Sequence, residues 1–374
     1  MPSAVRAPVP TLSLRELNRA LLARQLLLER KKVNVVKAIE DLACLQGQWA
    51  PSPYVALWSR LAGFKRDQLT DAIDRGDVVK TTIMRATLHL VSAREYPAYH
   101  LATLDGRFGA WRPPGAPDLK QLAKLHAEVL RFASASPRTR TEIQEFVAKA
   151  SPSKDERMKN WLVFVAITSG NGLLWDPAGA HFEHRKLARY VAPPAALRRP
   201  VPEETAYELV VQRHLGAFGP ATVQDIASWS SARMPHLRAA LVRLKGVVRF
   251  TDERGRELYD LARAPRPDAD TPAPARFLAR FDAAILGHVA PERTRILPEA
   301  YRKQVIFSAE VWTTFLVDGF VAGRWTIGAT KKEAVLELKP FKKLARADKA
   351  ALVDEGERLV RFYYPESANH GVKA

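Results

Sequence analysis

The sequence has a single cysteine, Cys44, among 374 residues. One cysteine cannot form an intramolecular disulfide, so this chain is not one of the secreted domains that disulfides hold together. Apolar runs are short as well, and none approaches the ~20 residues that a membrane-spanning helix needs. Residues 1–10 are rich in Pro and Ala and lack the apolar core of a signal peptide. We therefore expect a cytoplasmic protein with no membrane partner.

Acidic residues are few relative to basic ones. The chain has 40 Asp and Glu against 58 Lys and Arg, which gives a formal charge of +18 and a pI near 10.1. This excess attracts polyanions and speeds their encounter, but charge alone does not separate a nucleic-acid-binding protein from an ordinary basic one. Nine dispersed His residues and one Cys give no metal-binding spacing, so we expect neither a metal nor another cofactor.

Three segments of the chain repeat one order of elements, with helices first and then a short hairpin. Helical periodicity covers 14–28, 35–45, 53–61 and 69–75, and strand-like runs follow at 78–80 and 87–91. Pro-rich linkers at 192–202 and 264–274 separate the later segments. We predict an α+β fold of four units: a winged helix at 11–112, a second at 116–196, a third at 203–265, and a C-terminal β-barrel-like unit with a closing helix at 273–374.

Local signals give these units testable detail. The sequences Thr139–Glu142 and Ser153–Glu156 both read as helix-capping boxes. We expect a hairpin of 173–175 and 181–183, another of 247–250 and 258–261, and a tight turn at Asp318-Gly319. In the last unit we expect strands at 305–307, 314–317 and 334–338, and a helix at 343–361.

The most informative feature is the tripeptide Gln46-Gly47-Gln48. An apolar helical pattern leads into it, and Pro51 and Pro53 follow, so we expect the helix to end beside the two glutamines. Without its context, this tripeptide is most simply a solvated helix end.

The context changes that interpretation, because the chain resembles the AlkZ-type winged-helix DNA glycosylases over roughly residues 13–365. The resemblance rests on Gln46–Gln48 with Pro53-Tyr54, and on the segments 58–61, 85–91, 281–282, 286–288 and 315–325. It implies three tandem winged helices and a C-terminal β-barrel arranged as a C-shaped molecule with a concave DNA channel. It also implies that Gln46 and Gln48 are the catalytic pair. A sister branch has Asp at the second position, so Gln48 favours the branch linked to self-protection against DNA-alkylating natural products.

Two carboxamides can catalyse the hydrolysis only of a glycosidic bond that is already weakened. An amide is a poor base and cannot be the nucleophile here, yet a pair of amides can orient a water and offer partial negative charge to an oxocarbenium-like sugar. Such help is sufficient when the leaving base is already activated. Purines alkylated at N7 or N3 are cationic and leave as neutral bases. No lysine stands out for Schiff-base lyase chemistry.

Further residues are candidates for contact with double-stranded DNA. Trp49 could stack on a base or pack at the helix end, and Arg85 could contact phosphate or form a buried ion pair. His89 is expected to be a hydrogen-bonded structural residue. The predicted DNA-binding set is Trp49, Arg85, Arg293, Arg295, Arg302, Lys303, Trp325, Lys331 and Lys332.

The leading hypothesis is a monomeric, monofunctional DNA glycosylase that removes bulky cationic purines and associates with the bacterial nucleoid when acting. The alternative is a non-catalytic winged-helix DNA-binding protein such as a transcription regulator. Three wings in one chain and no dimerisation coiled coil favour the enzyme. A protein that sequesters the toxin itself would need an enclosed apolar pocket and would bind DNA with little salt dependence.

Overall fold

The first segment has the predicted helices, at slightly different bounds. The computed structural model describes residues 9–169, 172–183 and 188–374; most of the Pro- and Ala-rich start, residues 1–8, lies outside them. The elements are β1 (Thr11–Leu12), α1 (Leu14–Arg24), α2 (Val35–Asp41), β2 (Leu45–Gln46), α3 (Ser52–Arg60), α4 (Arg66–Asp74), β3 (Val78–Thr82), β4 (Leu88–Ser92), α5 (Tyr96–Ala102) and α6 (Leu104–Gly109). No helix of these described residues is long and apolar enough to cross a bilayer.

The second segment differs from expectation at two places. Its elements are α7 (Ala123–Ala135), β5 (Arg138–Thr139), α8 (Arg140–Ala150), α9 (Glu156–Thr168), β6 (Leu174–Trp175) and β7 (Arg189–Val191). The capping box of Thr139 and Glu142 is confirmed. The box predicted at 153–156 is wrong, because Asp155 caps α9 by accepting from the amide of Arg157. The strand predicted at 181–183 is also wrong, since β6 pairs with β7 further along the chain.

The third segment has the predicted order of helix, turn, helix and hairpin. It contains α10 (Glu203–Phe218), α11 (Val223–Ser230), α12 (Met234–Arg243), β8 (Val247–Asp252) and β9 (Glu257–Leu261). Thr222 caps α11, and its hydroxyl and backbone amide exchange hydrogen bonds with Asp225. The name winged helix remains our interpretation of this order.

The last segment is built on a sheet of five strands. Its elements are β10 (Arg276–Leu278), α13 (Ala283–Leu286), α14 (Arg302–Val305), β11 (Ile306–Phe307), β12 (Glu310–Val311), β13 (Thr314–Val317), β14 (Phe320–Ala329), β15 (Glu333–Pro340), α15 (Arg346–Tyr363) and β16 (Asn369–Lys373). The tight turn at Asp318-Gly319 is confirmed: both residues have positive φ, 46° and 81°, as a two-residue hairpin requires.

The expected β-barrel is corrected to an open sheet. The strand order is β10-β13-β14-β15-β16, and the two outer strands do not pair with each other among the described residues. β16 runs parallel to β15 at one edge, and α15 contacts β10, β15 and β16. The helix therefore covers the sheet where a barrel would have closed by strand pairing.

Hydrogen bonds and cores cross the predicted unit boundaries. A six-stranded sheet of order β2-β4-β3-β6-β7-β5 joins the first two segments through the pair Thr81–Leu174. One hydrophobic core combines side chains of the first, third and last segments, and a second core combines the first and last. The chain is thus an α+β protein whose segments share cores. The unit boundaries, the C shape and the concave channel stay predictions.

Buried ion pairs fix the N-terminal helices to distant parts of the chain. Arg24 pairs with Asp260 at 2.6 Å, and Arg60 pairs with Asp282 at 2.6 Å, all four side chains being at most 1% exposed. Removing one partner of such a pair leaves a buried, uncompensated charge, which costs about 3–5 kcal/mol. These pairs therefore keep the first segment in a fixed place against the third and last.

Candidate active site and DNA-binding surface

The two glutamines lie on a strand edge rather than at the helix end that the sequence suggested. α2 ends at Asp41, and the next turn reverses the chain through Ala43 and Cys44, with φ of 55° and 76°. Left-handed conformations in two consecutive residues without glycine are strained and occur where the surroundings impose them. The prolines after Gln48 do not stop this helix. Instead they open α3, where a missing amide hydrogen costs nothing.

Gly47 allows the strand carrying the glutamines to pack closely. Gln46 pairs with His89 on β4, and the amide of Gly47 continues the ladder by donating to the carbonyl of Leu88 at 2.8 Å. A Cβ on Gly47 would lie 2.7 Å from Cδ1 of Leu90, a fully buried side chain. Because side chains alternate along a strand, Gln46 and Gln48 share the opposite face.

A directed chain of hydrogen bonds orients the two carboxamides. Arg85 Nη2 donates to Gln46 Oε1 at 2.9 Å, and Gln46 Nε2 donates to Gln48 Oε1. A guanidinium has only donors, so it fixes which end of the Gln46 amide faces it, and that choice fixes Gln48 in turn. Gln46 is 8% exposed, whereas Gln48 is at the surface. Gln48 therefore presents its NH₂ group and a remaining oxygen lone pair to solvent.

Arg85 links this pair to the third segment. Its Nη1 donates to the carbonyl of Trp229 at 3.0 Å, at the C-terminal end of α11, where the helix dipole is negative. Burial, and then the positive charge of Arg293, lower the pKa of Arg85 to about 10. Arg85 and Ala86 also have positive φ, 53° and 56°. Of the two roles considered for Arg85, a phosphate contact and a buried ion pair, the ion pair is not observed among its described contacts, because both acceptors are neutral oxygens.

His89 lies beside the pair and is neutral. Burial, and then the charge of Arg85, lower its pKa to about 3, and its Nδ1 donates to the carbonyl of Thr87 at 2.9 Å. The predicted structural, hydrogen-bonded role of His89 is confirmed. Among the described contacts of Gln46, Gln48, Arg85 and His89 there is no carboxylate, so this cluster offers no strong base at neutral pH.

Lys80 is the buried lysine nearest to the glutamines along the sheet, and it faces away from them. Lys80 and Leu45 both pair with Leu90 on β4. Gln46 pairs instead with the adjacent residue, His89. Cross-strand partners share a face, so Lys80 lies on the face opposite to the glutamines. Its ammonium lies 3.9 Å from the centre of the Trp175 ring, and burial lowers its pKa to about 8.

Two other cations of the predicted DNA-binding set are Arg293 and Arg302. The Arg293 guanidinium is half-buried and donates to the carbonyl of His288 at 3.2 Å. Burial and then the charge of Arg302 lower the pKa of Arg293, just as Arg293 lowers that of Arg85. Arg302 pairs with Glu299 at 2.7 Å. Arg293 thus acts on Arg85, and Arg302 on Arg293, through repulsion between like charges.

Two predicted DNA-binding residues belong to the protein interior, and these predictions are corrected. Arg295 is 1% exposed and donates to the carbonyl of Pro220 at 2.8 Å. Trp325 is 2% exposed, and its indole donates to the carbonyl of Leu278 at 3.0 Å. Both side chains are buried. The sequence pattern alone does not distinguish such buried residues from residues of a basic surface or a sheet edge.

The remaining predicted residues are at the surface. Trp49 is 41% exposed, and Lys331 and Lys332 lie in the exposed turn between β14 and β15. Lys303 lines a groove of about 490 Å³ whose other charged residues, Arg324 and Lys339, are also basic. No acidic residue lines that groove among the described residues, so it suits a polyanion.

Sequence reasoning missed the residues that join this groove to the glutamines. Trp312 lines the groove and also a second cavity beside Trp49, and Arg280 lies between the two rings, 5.1 Å from the Trp312 centre and 5.2 Å from the Trp49 centre. Trp49 is distant along the chain from Arg280 and Trp312. The sequence around each residue therefore gives no sign that they lie together.

A larger cavity, of about 900 Å³, lies elsewhere, between α2, α4 and the end of β4. Its lining mixes acidic and basic residues, several of them paired with each other, such as Arg75 with Asp77 and Arg94 with Glu40. Neither glutamine lines it. Volume alone does not mark the site in this protein.

Comparison with known proteins identifies the family. The family described as DNA glycosylase AlkZ-like matches residues 39–362. The chain belongs to the AlkZ-like DNA glycosylase family. It is 27% identical over 361 residues to an interstrand DNA cross-link repair glycosylase of Streptomyces sahachiroi, which covers 90% of this chain and 93% of that protein. The structure of Streptomyces sahachiroi DNA glycosylase AlkZ is similar, with a TM-score of 0.75 and 22% identity over 97% of this chain and 99% of the other.

Membership in the AlkZ-like family decides between the two main hypotheses. The chain is an enzyme of the DNA glycosylase class, and the hypothesis of a non-catalytic transcription regulator is set aside. The match begins just before Gln46 and ends within α15, so it includes both glutamines, Arg85 and the groove residues.

Proposed function

We propose that this chain hydrolyses the N-glycosidic bond of bulky cationic purines, alkylated at N7 or N3, in double-stranded DNA. Gln46 and Gln48 are the proposed catalytic residues. The biological role that fits this chemistry is base-excision repair or self-resistance against DNA-alkylating natural products. The observation that carries the proposal is the hydrogen-bonded carboxamide pair, held by Arg85 and without a carboxylate in contact.

The proposed chemistry depends on the hydrogen-bonding groups that the glutamine pair leaves free. Gln48 presents an NH₂ group and an oxygen lone pair, so it can donate to the oxygen of a water and accept one of its hydrogens. As the cationic purine departs as a neutral base, positive charge develops on the sugar, and a fixed carboxamide oxygen stabilises that charge. No proton has to be delivered to an alkylated base, so the absence of a general acid is consistent with this substrate class.

The DNA contacts we propose are the exposed basic and aromatic residues of the same face. Arg293, Arg302 and Lys303 would contact phosphates, and Trp49 would lie against the lesion. The like charges of Arg85, Arg293 and Arg302 repel one another, and a polyanion that arrives between them relieves this repulsion. We propose that the enzyme acts as a monomer that associates with the nucleoid; Lys331 and Lys332 are more distant candidates for phosphate contact.

The direct test is excision from duplex DNA that holds a single N7-benzylguanine. The purified protein should release the base, and alkali should then cleave the strand at the abasic site. Treatment with borohydride should trap no covalent protein–DNA adduct, because no lysine faces the glutamines among the residues discussed above. Intact DNA after alkali, with undamaged and damaged strands bound equally, would refute the proposed activity.

A further inference from the structure

A small cavity with aromatic walls lies beside Trp49, the residue that follows the proposed catalytic Gln48. It has a volume of about 220 Å³. Its lining includes Trp49 together with Ser52, Arg280, Trp312, Trp325, Thr326 and Tyr363. Four aromatic side chains thus form the walls, and the lining combines the start of α3 with the open edge of β14. Pockets for drug-sized ligands are roughly 300–1,000 Å³, so this one suits a group of about one or two rings.

The walls of this cavity are held in place by the protein itself. Trp325 is fixed by its hydrogen bond to Leu278, and Trp49 lines the same cavity as Tyr363, whose pKa burial raises to about 12. The Arg280 guanidinium lies over Trp49 and Trp312 and pairs with Glu310. A cavity whose rings are already oriented needs little ordering when a flat ligand enters.

Polar atoms in the lining lack partners. Ser52 is 3% exposed, and its hydroxyl has no hydrogen-bond partner among the described residues; the same holds for Nε of Arg280. A buried hydroxyl left without a partner costs free energy, and a ligand carbonyl or amide can satisfy it. Residues 325–329 of β14 pair with β15 only, so the strand edge here is not covered by β13.

The chemistry of the lining selects the ligand. Among the described residues, the lining has no carboxylate to pair with a cation, and a phosphate is disfavoured by the aromatic walls. A neutral planar ring gains stacking contact with Trp49 and Trp312, and a carbonyl oxygen on that ring can accept from Ser52.

We propose that this cavity binds the neutral aromatic substituent of a bulky adduct, while the alkylated purine that carries it lies against Gln48. The inference rests on the proposed function and adds the substrate class to it. The cavity then selects lesions by the group attached to the purine, and the carboxamide pair acts on the glycosidic bond.

The test compares three lesions in the same duplex: N7-methylguanine, N7-benzylguanine and N7-(4-carbamoylbenzyl)guanine. For the wild-type enzyme, kcat/KM should rise at least about fivefold from methyl to benzyl, as expected for stacking of one ring. It should rise about threefold more with the carbamoyl group, as expected for one hydrogen bond.

Two variants assign these gains to the cavity. Thr326 is an exposed lining residue, so Thr326→Trp should cover the opening and bring the benzyl-to-methyl ratio to about one, whereas Thr326→Val should keep the wild-type ratio. Ser52→Ala should keep the benzyl gain and remove only the carbamoyl gain. If Thr326→Trp does not fold, the Ser52→Ala comparison still decides.

The outcomes separate this inference from the proposed function. Equal kcat/KM for the three lesions with the wild type, or equal loss on all three with Thr326→Trp, would overturn the cavity assignment while leaving excision established. No excision of any of the three lesions would instead contradict the proposed function.

Discussion

The Arg85 guanidinium donates to the Gln46 carboxamide oxygen at 2.9 Å and so determines how Gln46 and Gln48 are oriented. A neutral amide has two nearly isosteric orientations, and only its partners choose between them. In this protein the choice is made by a charged donor held between the end of α11 and β2. The orientation of the proposed catalytic pair therefore depends on the third segment as well as on its own strand.

Replacement of either glutamine should reduce excision strongly. We expect Gln48→Ala and Gln46→Ala each to lower kcat by about 10²-fold, since one preorganised hydrogen-bonding group is lost. The double variant should lose less than the product of the two effects, because both groups act on one transition state. DNA affinity, measured in parallel by fluorescence anisotropy, should change little. Wild-type rates for both single variants would show that the chemistry lies elsewhere.

Gln48→Asp offers a complementary comparison. A carboxylate is a better base and stabilises developing positive charge more strongly, so we expect this variant to keep substantial activity on N7-methylguanine DNA. Activity as low as that of Gln48→Ala would contradict the proposed position of residue 48 beside the reacting sugar.

Arg85→Met should lower kcat without reducing the salt dependence of DNA binding. The methionine fills similar volume but cannot donate, so Gln46 and Gln48 lose their fixed orientation, and we expect a loss of about tenfold or more. Arg85→Lys retains a charged donor and should recover part of the rate. The measurement is single-turnover excision together with binding at several salt concentrations. A smaller salt slope with unchanged kcat would instead place Arg85 on a phosphate.

The rate of excision should be nearly independent of pH between about 6 and 9. An amide does not titrate in this range, and the pKa of His89, about 3, keeps that residue neutral throughout. Single-turnover rates across this range provide the measurement. A change centred near pH 8 that disappears in Lys80→Met would bring Lys80 into the reaction, since burial lowers its pKa to about 8.

The salt dependence of DNA binding should distinguish exposed from buried cations. Lys303→Gln removes a surface charge in the basic groove, so the slope of log affinity against log salt should become less steep by about one. Arg295→Gln should leave the slope unchanged and lower the free energy of unfolding, because the buried Arg295 guanidinium donates to the carbonyl of Pro220. A flat salt response of the wild type would refute the electrostatic binding surface.

Much of the fold was predictable because it depends on local signals. The capping box of Thr139 and the turn at Asp318-Gly319 satisfy backbone groups within a few residues, so the sequence contains their whole cause. The strand predicted at 181–183 was wrong because β6 pairs with a strand further along the chain. The capping box predicted at 153–156 was wrong because a competing local cap, Asp155, begins the helix.

The sequence proposes which residues form the candidate site, but it does not give their geometry. Resemblance to a family located Gln46 and Gln48, yet the left-handed turn at Ala43 and Cys44 uses no glycine or asparagine, so nothing in the sequence announces it. Arg295 and Trp325 have the composition of a DNA-binding surface, but packing between distant segments buries them. Burial of single residues is a property of the assembled core, and a one-dimensional pattern does not contain it.

Stability should fall as the pH decreases below about 6.5. Burial lowers the pKa of His89 to about 3 and that of His214 to about 4, whereas an unfolded histidine has a pKa of about 6.5. The unfolded chain therefore binds protons that the folded one does not, and each residue contributes a loss of about 1.4 kcal/mol per pH unit in this window. Urea unfolding at pH 7.5 and pH 5.5 checks this; equal free energies at the two values would contradict it.

Translation order gives the short strand β1 an unusual role. Thr11 leaves the ribosome long before Thr251, yet these residues are partners in a parallel ladder, and their hydroxyls lie 2.8 Å apart. The helix that follows β1 buries Arg24 against Asp260, which is synthesised later still. A nascent chain that stops before Asp260 has no counter-charge for the Arg24 guanidinium. The burial of Arg24 in the folded enzyme therefore requires that the third segment has been synthesised.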